Sequence, residues 1–234
     1  MSKKDPASRR VSQSVTSFID TVKSISMQTE QANGRLVFAM DATASRSSTW
    51  DVAMSIQAEM FSEASTLGGL LIQLVYYRGL SECRSSGWIS NEGELGQLMS
   101  KVQFQAGRTQ IERVLKHTLN ETAKNKVDAL VFIGDSMEED IDLLADVAGK
   151  MGILGVPAFI FHEGGLEPTA TAFRHIAKVS GGAYSLFDSA SPIALRSLLR
   201  AVAAYAAGGV RALEQYEDKH PESLFHLTDQ MKNR

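Results

Sequence analysis

The chain has 234 residues, of which 44% are hydrophobic, so it is long enough to bury the core of one large α/β domain. Its formal net charge of −3 at pH 7 favours neither a nucleic acid nor an anionic membrane as a partner. A single cysteine, Cys83, excludes an internal disulfide framework and is typical of a reducing compartment. No apolar run approaches the ~20 residues of a membrane span, and the N-terminus lacks the apolar segment of a secretory signal. We therefore expect a cytoplasmic protein without a membrane span.

Three parts follow one another along the chain. Residues 1–32 combine a polar arm with a predicted helix whose apolar side chains, between Val15 and Ile25, fall on one face. Residues 33–213 carry the pattern of an α/β domain, and residues 214–234 are predicted to form a charged C-terminal tail. The predicted N-terminal helix and the last long helix, which begins at Pro192, both present apolar stripes. These stripes serve core packing or, alternatively, the formation of a homo-oligomer.

Buried strands alternate with amphipathic helices throughout the predicted domain. The strands are expected at residues 35–41, 70–77, 88–90, 129–133, 156–161 and 183–187. The helices are expected at residues 49–66 and 92–101, after Thr109, after Ser136 through Met151, around Phe173, and from Pro192. This alternation predicts an α/β fold with a doubly wound, mostly parallel, Rossmann-like six-stranded sheet that carries helices on both faces.

Acidic and hydroxyl side chains follow the carboxyl ends of two predicted strands and one turn. Asp41 ends the first strand, and Thr43 and Ser45 follow at steps of two; Thr109 precedes a helix, and Asp135 follows the strand at 129–133. Because ligands bind at the carboxyl edge of an open parallel sheet, we expect these five residues to meet there. Two carboxylates and three hydroxyls form an all-oxygen set, which suits a hard cation such as Mg²⁺.

The same five residues resemble the metal-ion-dependent adhesion site (MIDAS) of von Willebrand factor A (vWA) domains. That family's pattern is Asp-x-Ser-x-Ser, then a Thr in a Gly-x-Thr turn, then an Asp that ends a later strand. The resemblance implies a vWA-like fold over roughly residues 35–205, with a short antiparallel edge strand at 88–90. It also implies a Mg²⁺ or Mn²⁺ ion bound directly by Thr43 and Ser45, by Thr109 directly or through water, and by Asp41 and Asp135 mostly through water.

The resemblance further implies a function. A carboxylate from an Asp or Glu of a partner protein would complete the coordination of the ion, so the chain would be a non-enzymatic protein-binding module. Bacterial intracellular members of this family often work beside AAA+ ATPases, which implies an adaptor role in such an assembly. Arg108 and Met137, on adjacent loops, are expected to help select the partner.

Two departures from the family pattern stand out. Thr43 replaces the usual first Ser, and its methyl group and stiffer χ1 restrict the geometry of the oxygen. The usual Gly after the last Asp is also missing, because the chain reads Ser136-Met137-Glu138-Glu139-Asp140. Those acids are expected to repel an acidic partner or to recruit a basic one.

Three other interpretations of these residues stay open. Asp41 and Ser45 are also suitable helix caps, and a vWA domain with a degenerate site binds its partners without metal. A phosphatase of the haloacid-dehalogenase type would use Asp41 as its nucleophile, together with Lys126 and the acids after Gly134. Against the phosphatase, Thr43 stands where that family usually has a second Asp. His162, at a strand end, is expected to be a loop residue without a role.

Overall fold

The structure, a computed structural model, describes residues 33–43, 46–188, 192–221 and 227–232. The residues described in these ranges belong to one compact unit. The helix predicted between Val15 and Ile25 lies outside the described residues, and so does Ser45. The position of Ser45 therefore stays a prediction.

Six strands form one sheet in the order β3-β2-β1-β4-β5-β6, in which β3 is antiparallel and the other neighbours are parallel. The strands are β1 Gly34–Asp41, β2 Leu70–Arg78, β3 Glu82–Ile89, β4 Ala129–Gly134, β5 Ala158–Glu163 and β6 Tyr184–Phe187. The helices are α1 Ser47–Ser65, α2 Glu92–Met99, α3 Ile111–Lys124, α4 Ile141–Ile153, α5 Thr169–Ser180, α6 Pro192–Lys219 and α7 Leu227–Lys232. The predicted doubly wound, mostly parallel fold class is confirmed.

The central strands are apolar on both faces because helices cover both. Alternate residues of β1, such as Leu36 and Phe38, pack against α1, α2, α6 and α7 on one face. The residues between them, such as Val37 and Ala39, pack against α3, α4 and α5 on the other. The sequence of a strand that is covered on both faces is a continuous hydrophobic run. This pattern is what predicted these strands from the sequence.

Strand β3 is longer than the sequence predicts. Only residues 88–90 are predicted as a strand, whereas the structure pairs Glu82–Ile89 with β2 through a tight turn at Gly79, whose φ is +59°. The residues missed are polar because β3 is an edge strand that faces solvent along much of its length. Cys83 consequently lies in a strand and not in a loop, and burial raises the pKa of its thiol.

The last two helices change the interpretation of the C-terminal region. The boundary predicted at residue 214 falls inside α6, which bends at Gly209 (φ +69°) and continues to Lys219, with Tyr216 buried. Helix α7 buries Leu227 and Met231 in the same core as α6. The apolar stripe of α6 is packed against its own sheet, as the core-packing interpretation of this stripe expects. A homo-oligomer through the terminal helices stays a prediction.

Helix α6 is long and apolar enough, by length and composition alone, to cross a membrane. An 18-residue window of the helix has a mean hydropathy of 1.3, and 44% of that window is buried inside the fold. These buried residues belong to the hydrophobic core beneath β1 and α1. The apolar composition of α6 is therefore explained by its packing on the sheet.

Candidate metal centre

Asp41 is the last residue of β1, and its side chain is buried. Its Oδ1 atom accepts a hydrogen bond of 2.7 Å from the backbone N–H of Thr43, which fixes the turn after the strand. Burial raises the pKa of the Asp41 carboxyl above its usual value, and the Thr43 hydrogen bonds oppose this effect. Asp41 is thus a fixed carboxylate in a poorly solvated position.

Four of the five predicted residues line one cleft of 350 Å³ at the carboxyl edge of the sheet. They are Asp41 and Thr43 after β1, Thr109 before α3 and Asp135 after β4. Asp41 is buried, and the other three are half-buried. The convergence expected from the parallel strand ends is therefore present for the residues that the structure describes.

The loop that carries Thr109 is held against the hairpin between β2 and β3. The backbone N–H of Arg108 donates to the carbonyl of Gly79 over 3.0 Å. A Cβ atom at Gly107 would lie 1.9 Å from that same carbonyl oxygen, so only glycine allows this approach. Thr109 itself does not cap α3; its Oγ1 accepts a hydrogen bond of 3.1 Å from the backbone N–H of Glu138 across the cleft.

Two of the acids after Asp135 cap helices, whereas the sequence led us to expect that they repel or recruit a partner. Both carboxylate oxygens of Glu139 accept hydrogen bonds from backbone N–H groups at the start of α3, at 2.7 and 2.9 Å. Asp140 caps α4 by accepting from the N–H of Asp142 at 2.8 Å. These negative charges neutralise helix N-termini. Of the three acids expected to govern partner charge, Glu138 alone lines the cleft.

The Glu139 cap gives a testable prediction. Replacing Glu139 with Ala leaves the first N–H groups of α3 without their acceptor, which should lower the free energy of unfolding by about 1–2 kcal/mol. Chemical denaturation followed by circular dichroism measures this change. The exposed neighbour Glu138 provides the control, because Glu138→Ala should change stability by less than ~0.5 kcal/mol. Equal effects of the two substitutions would contradict the capping role.

Arg46 is a site residue that the sequence analysis missed. Its guanidinium contacts Asp135 at 3.0 Å and pairs with Glu163 at the end of β5, and both Arg46 and Glu163 are largely buried. The Thr49 hydroxyl donates to the same Glu163 carboxylate. This chain of contacts ties the start of α1 to the ends of β4 and β5. The sequence does show an Arg directly after Asp-x-Thr-x-Ser. Its partner Glu163 in β5 lies more than 100 residues away, so no local pattern reveals that the two side chains pair.

His162 is also placed differently from the prediction of a loop residue without a role. It is fully buried in β5, and its Nε2 lies 3.2 Å from the Asp135 carbonyl oxygen, which can only accept. Nδ1 therefore accepts from the Tyr184 hydroxyl at 2.9 Å. Burial lowers the pKa of His162, which favours this neutral form. His162 holds the backbone of Asp135 in place.

Solved structures share this architecture. The von Willebrand factor type A protein from Catenulispora acidiphila matches with a TM-score of 0.61 at 18% identity, over 75% of this chain and 43% of that chain. This chain has a vWA fold. The SpRpn10 VWA domain matches with a TM-score of 0.55 at 14% identity, over 76% of this chain and 98% of that domain. No protein-family model and no curated protein matches the sequence.

One matching vWA structure carries a metal. Proximal thread matrix protein 1 from the mussel byssus, with a zinc-occupied MIDAS motif, has a TM-score of 0.53 at 12% identity, over 73% of this chain and 46% of that chain. This chain therefore spans less than half of the mussel protein and of the Catenulispora protein. The resemblance inferred from the sequence is confirmed at the level of the fold.

The oxygen donors of this vWA fold suit a hard divalent cation. Arg46 supplies one positive charge beside three carboxylates, those of Asp41, Asp135 and Glu163, which leaves the cluster with a net charge of about −2 that a divalent cation would neutralise. Within the described ranges, no group of three or more Asp, Glu, His or Cys side chains is arranged as a metal-binding set. A bound cation would thus be held by two carboxylates together with hydroxyls and water, a ligand set that Mg²⁺ accepts.

The phosphatase interpretation places Lys126 beside Asp41, and the fold separates them. Lys126 precedes β4 and pairs with Asp128 at 3.6 Å. Residue Ala129, at the start of β4, lies beside Leu36 of β1, five residues before Asp41. At roughly 3.3 Å per residue this puts the two ends about 16 Å apart. Lys126 is at the opposite edge of the sheet and cannot assist a reaction at Asp41.

Proposed function

We propose that this chain is a non-enzymatic protein-binding module that captures a partner carboxylate through a Mg²⁺ or Mn²⁺ ion. Asp41, Thr43, Ser45, Thr109 and Asp135 would hold the ion. The observation that carries the proposal is the single cleft that Asp41, Thr43, Thr109 and Asp135 share at the carboxyl edge of the sheet. The zinc-occupied MIDAS of a protein with the same fold supports a divalent metal in this position.

The charged and the uncharged residues of the cleft would have different roles in binding the ion. A bound divalent cation supplies a Lewis-acidic position for one anionic ligand. Thr43 and Thr109 offer uncharged oxygens, which leave more of the positive charge of an ion available to that ligand than carboxylates would. The Thr43 N–H fixes Asp41, and Arg46 fixes Asp135, so both carboxylates are oriented before binding.

The surroundings of the cleft favour an acidic segment as the partner. Arg108 is exposed on the loop beside Thr109, and Met137 lies half-buried after Asp135. Arg108 would attract a carboxylate, whereas Glu138 at the cleft wall would restrict how an acidic segment approaches. A cytoplasmic location and an adaptor role beside an AAA+ ATPase complete the proposal. The family resemblance of the sequence supports the adaptor role, and the single cysteine supports the location.

Calorimetric titration of Mg²⁺ and Mn²⁺ into the chelator-treated protein tests the metal site. We expect saturable binding of about one ion per chain, because the cleft brings together one set of oxygen donors. The absence of binding heat for both ions, together with an unfolding midpoint that neither ion raises, would contradict the proposal.

Capture of a carboxylate needs a separate measurement. A peptide array that contains Asp and Glu, and a matched array with Asn and Gln at the same positions, are probed with the Mg²⁺-loaded protein. We expect binding to the acidic array alone and its loss in EDTA. The same preparation should show no turnover of a generic phosphate monoester above background, and turnover that depends on Asp41 would favour the phosphatase instead.

The Arg46 contact supports one alternative, a vWA module that binds its partner without metal. The guanidinium of Arg46 already provides a cation beside Asp135, at 3.0 Å. In that case the acidic array would retain binding in EDTA. Arg46→Gln would then abolish binding, whereas the metal-dependent module should keep a response to Mg²⁺ in this variant.

A further inference from the structure

A tyrosine that the MIDAS pattern does not include lies beside Asp41, one of the residues that line the cleft. Tyr77 lies in β2 directly beside Asp41 of β1, and paired residues of neighbouring parallel strands project to the same face of the sheet. The side chain of Tyr77 is fully buried and stacks on Phe132 of β4, with ring centroids 6.3 Å apart. The phenol therefore extends beneath β1 from β2 to β4.

The hydroxyl of Tyr77 ends between the two strands that carry the acidic pair. A Cβ atom at Gly134, the residue before Asp135, would lie 3.9 Å from this hydroxyl oxygen. Among the residues that the structure describes, none forms a full hydrogen bond with this hydroxyl, although the Asp41 carboxylate is close enough to interact with it. A buried polar group without a full hydrogen bond lowers stability, and the position of this one beside Asp41 makes it a candidate donor to the carboxylates of the cleft.

The charges around Tyr77 define what its hydroxyl can do. Burial raises the pKa of Tyr77 well above its usual value, and the negative charges of Asp41 and Glu139 add to the effect. Asp135 contributes in the same direction. The phenol consequently keeps its proton at neutral pH. It is a hydrogen-bond donor next to the Asp41 carboxylate.

We propose that Tyr77 is a positioning residue for the cation site, whose hydroxyl donates a hydrogen bond to the Asp41 carboxylate when a cation is bound and holds this carboxylate in its cation-binding arrangement. This inference rests on the proposed metal-binding function. A hydroxyl donor stabilises ionised carboxylates without adding a positive charge that would compete with the cation. Phe at this position would keep the stacking on Phe132 and remove the donor.

The test compares Tyr77→Phe with wild type in calorimetric titrations of Mg²⁺ and Mn²⁺. We expect the affinity for both ions to fall roughly tenfold, the effect of one hydrogen bond to a charged group. Unfolding in the presence of a chelator should be unchanged, or the variant should be more stable, because a buried hydroxyl without a full hydrogen bond is removed. Tyr76→Phe is the matched control, since Tyr76 faces Trp50 on the opposite side of the sheet, and it should bind like wild type.

The possible outcomes distinguish a failure of the Tyr77 inference from a failure of the proposed function. If wild type binds metal and Tyr77→Phe binds equally well, Tyr77 has no positioning role and the proposed function stands. If Tyr77→Phe loses stability in chelator in parallel with its affinity, the phenol acts through packing and the inference is wrong. If wild type binds neither ion, the proposed function and this inference fail together.

Discussion

Asp41→Asn is expected to lower the affinity for Mg²⁺ and Mn²⁺ by roughly 100-fold or more while leaving the chain folded. Asparagine keeps the shape of the side chain and an oxygen that accepts from the Thr43 N–H, but it removes the negative charge. Because burial raises the pKa of Asp41, the ionised carboxylate opposes folding at neutral pH. Stability in chelator should therefore be equal to or higher than that of wild type.

Calorimetric titration and denaturation in chelator measure the two expectations for Asp41. Asp146→Asn is the control, because Asp146 is an exposed carboxylate on α4 that pairs with Lys150 and lies outside the cleft. It should bind both ions like wild type. Loss of folding in Asp41→Ala but not in Asp41→Asn, both without metal, would instead indicate that the hydrogen bond from Thr43 is what matters, as the helix-capping interpretation holds.

Gly107→Ala is expected to disrupt the site without changing any ligand. The added Cβ would lie 1.9 Å from the Gly79 carbonyl oxygen, so the loop must move away from the hairpin and weaken the hydrogen bond from Arg108. Overpacking of this kind costs about 1–3 kcal/mol. Thr109 moves with the loop, and the affinity for Mg²⁺ should fall roughly 10- to 100-fold.

Gly149 provides the matched control for the loop substitution. It lies in α4, and an added Cβ has no atom within 4 Å, so Gly149→Ala should raise stability slightly through helix propensity and leave metal binding intact. Denaturation and calorimetric titration of both variants give the comparison. If Gly107→Ala loses stability but binds Mg²⁺ like wild type, Thr109 does not contribute to the site.

The apolar strands were predictable because their signal is local. The runs that became β1 and β4 are bounded by polar residues and covered by helices on both faces, so the number of parallel strands and their positions along the chain follow from the sequence pattern. Strand β3 was predicted too short because an edge strand buries little, and its polar residues resemble a loop. The extent of α6 was missed because Gly209 bends the helix without ending it.

The cleft could be anticipated for a geometric reason. Asp41 and Asp135 both follow buried strands, and the carboxyl ends of parallel strands meet at one edge, so the position of each acid in the sequence determines the side of the sheet on which it lies. The sequence therefore determined the fold class and brought Asp41, Thr43, Thr109 and Asp135 together as candidates.

What surrounds these candidates was decided by the tertiary structure. Arg46 reaches Glu163 because β5 lies next to β4, the Glu139 carboxylate caps α3 from another loop, and Tyr77 reaches beneath β1 because β2 and β4 flank it. Each of these contacts depends on strand order and on residues 28 to 117 positions apart. Local periodicity carries no information about such pairs, which is the physical reason that the sequence specified the acids of the site but not their neighbours.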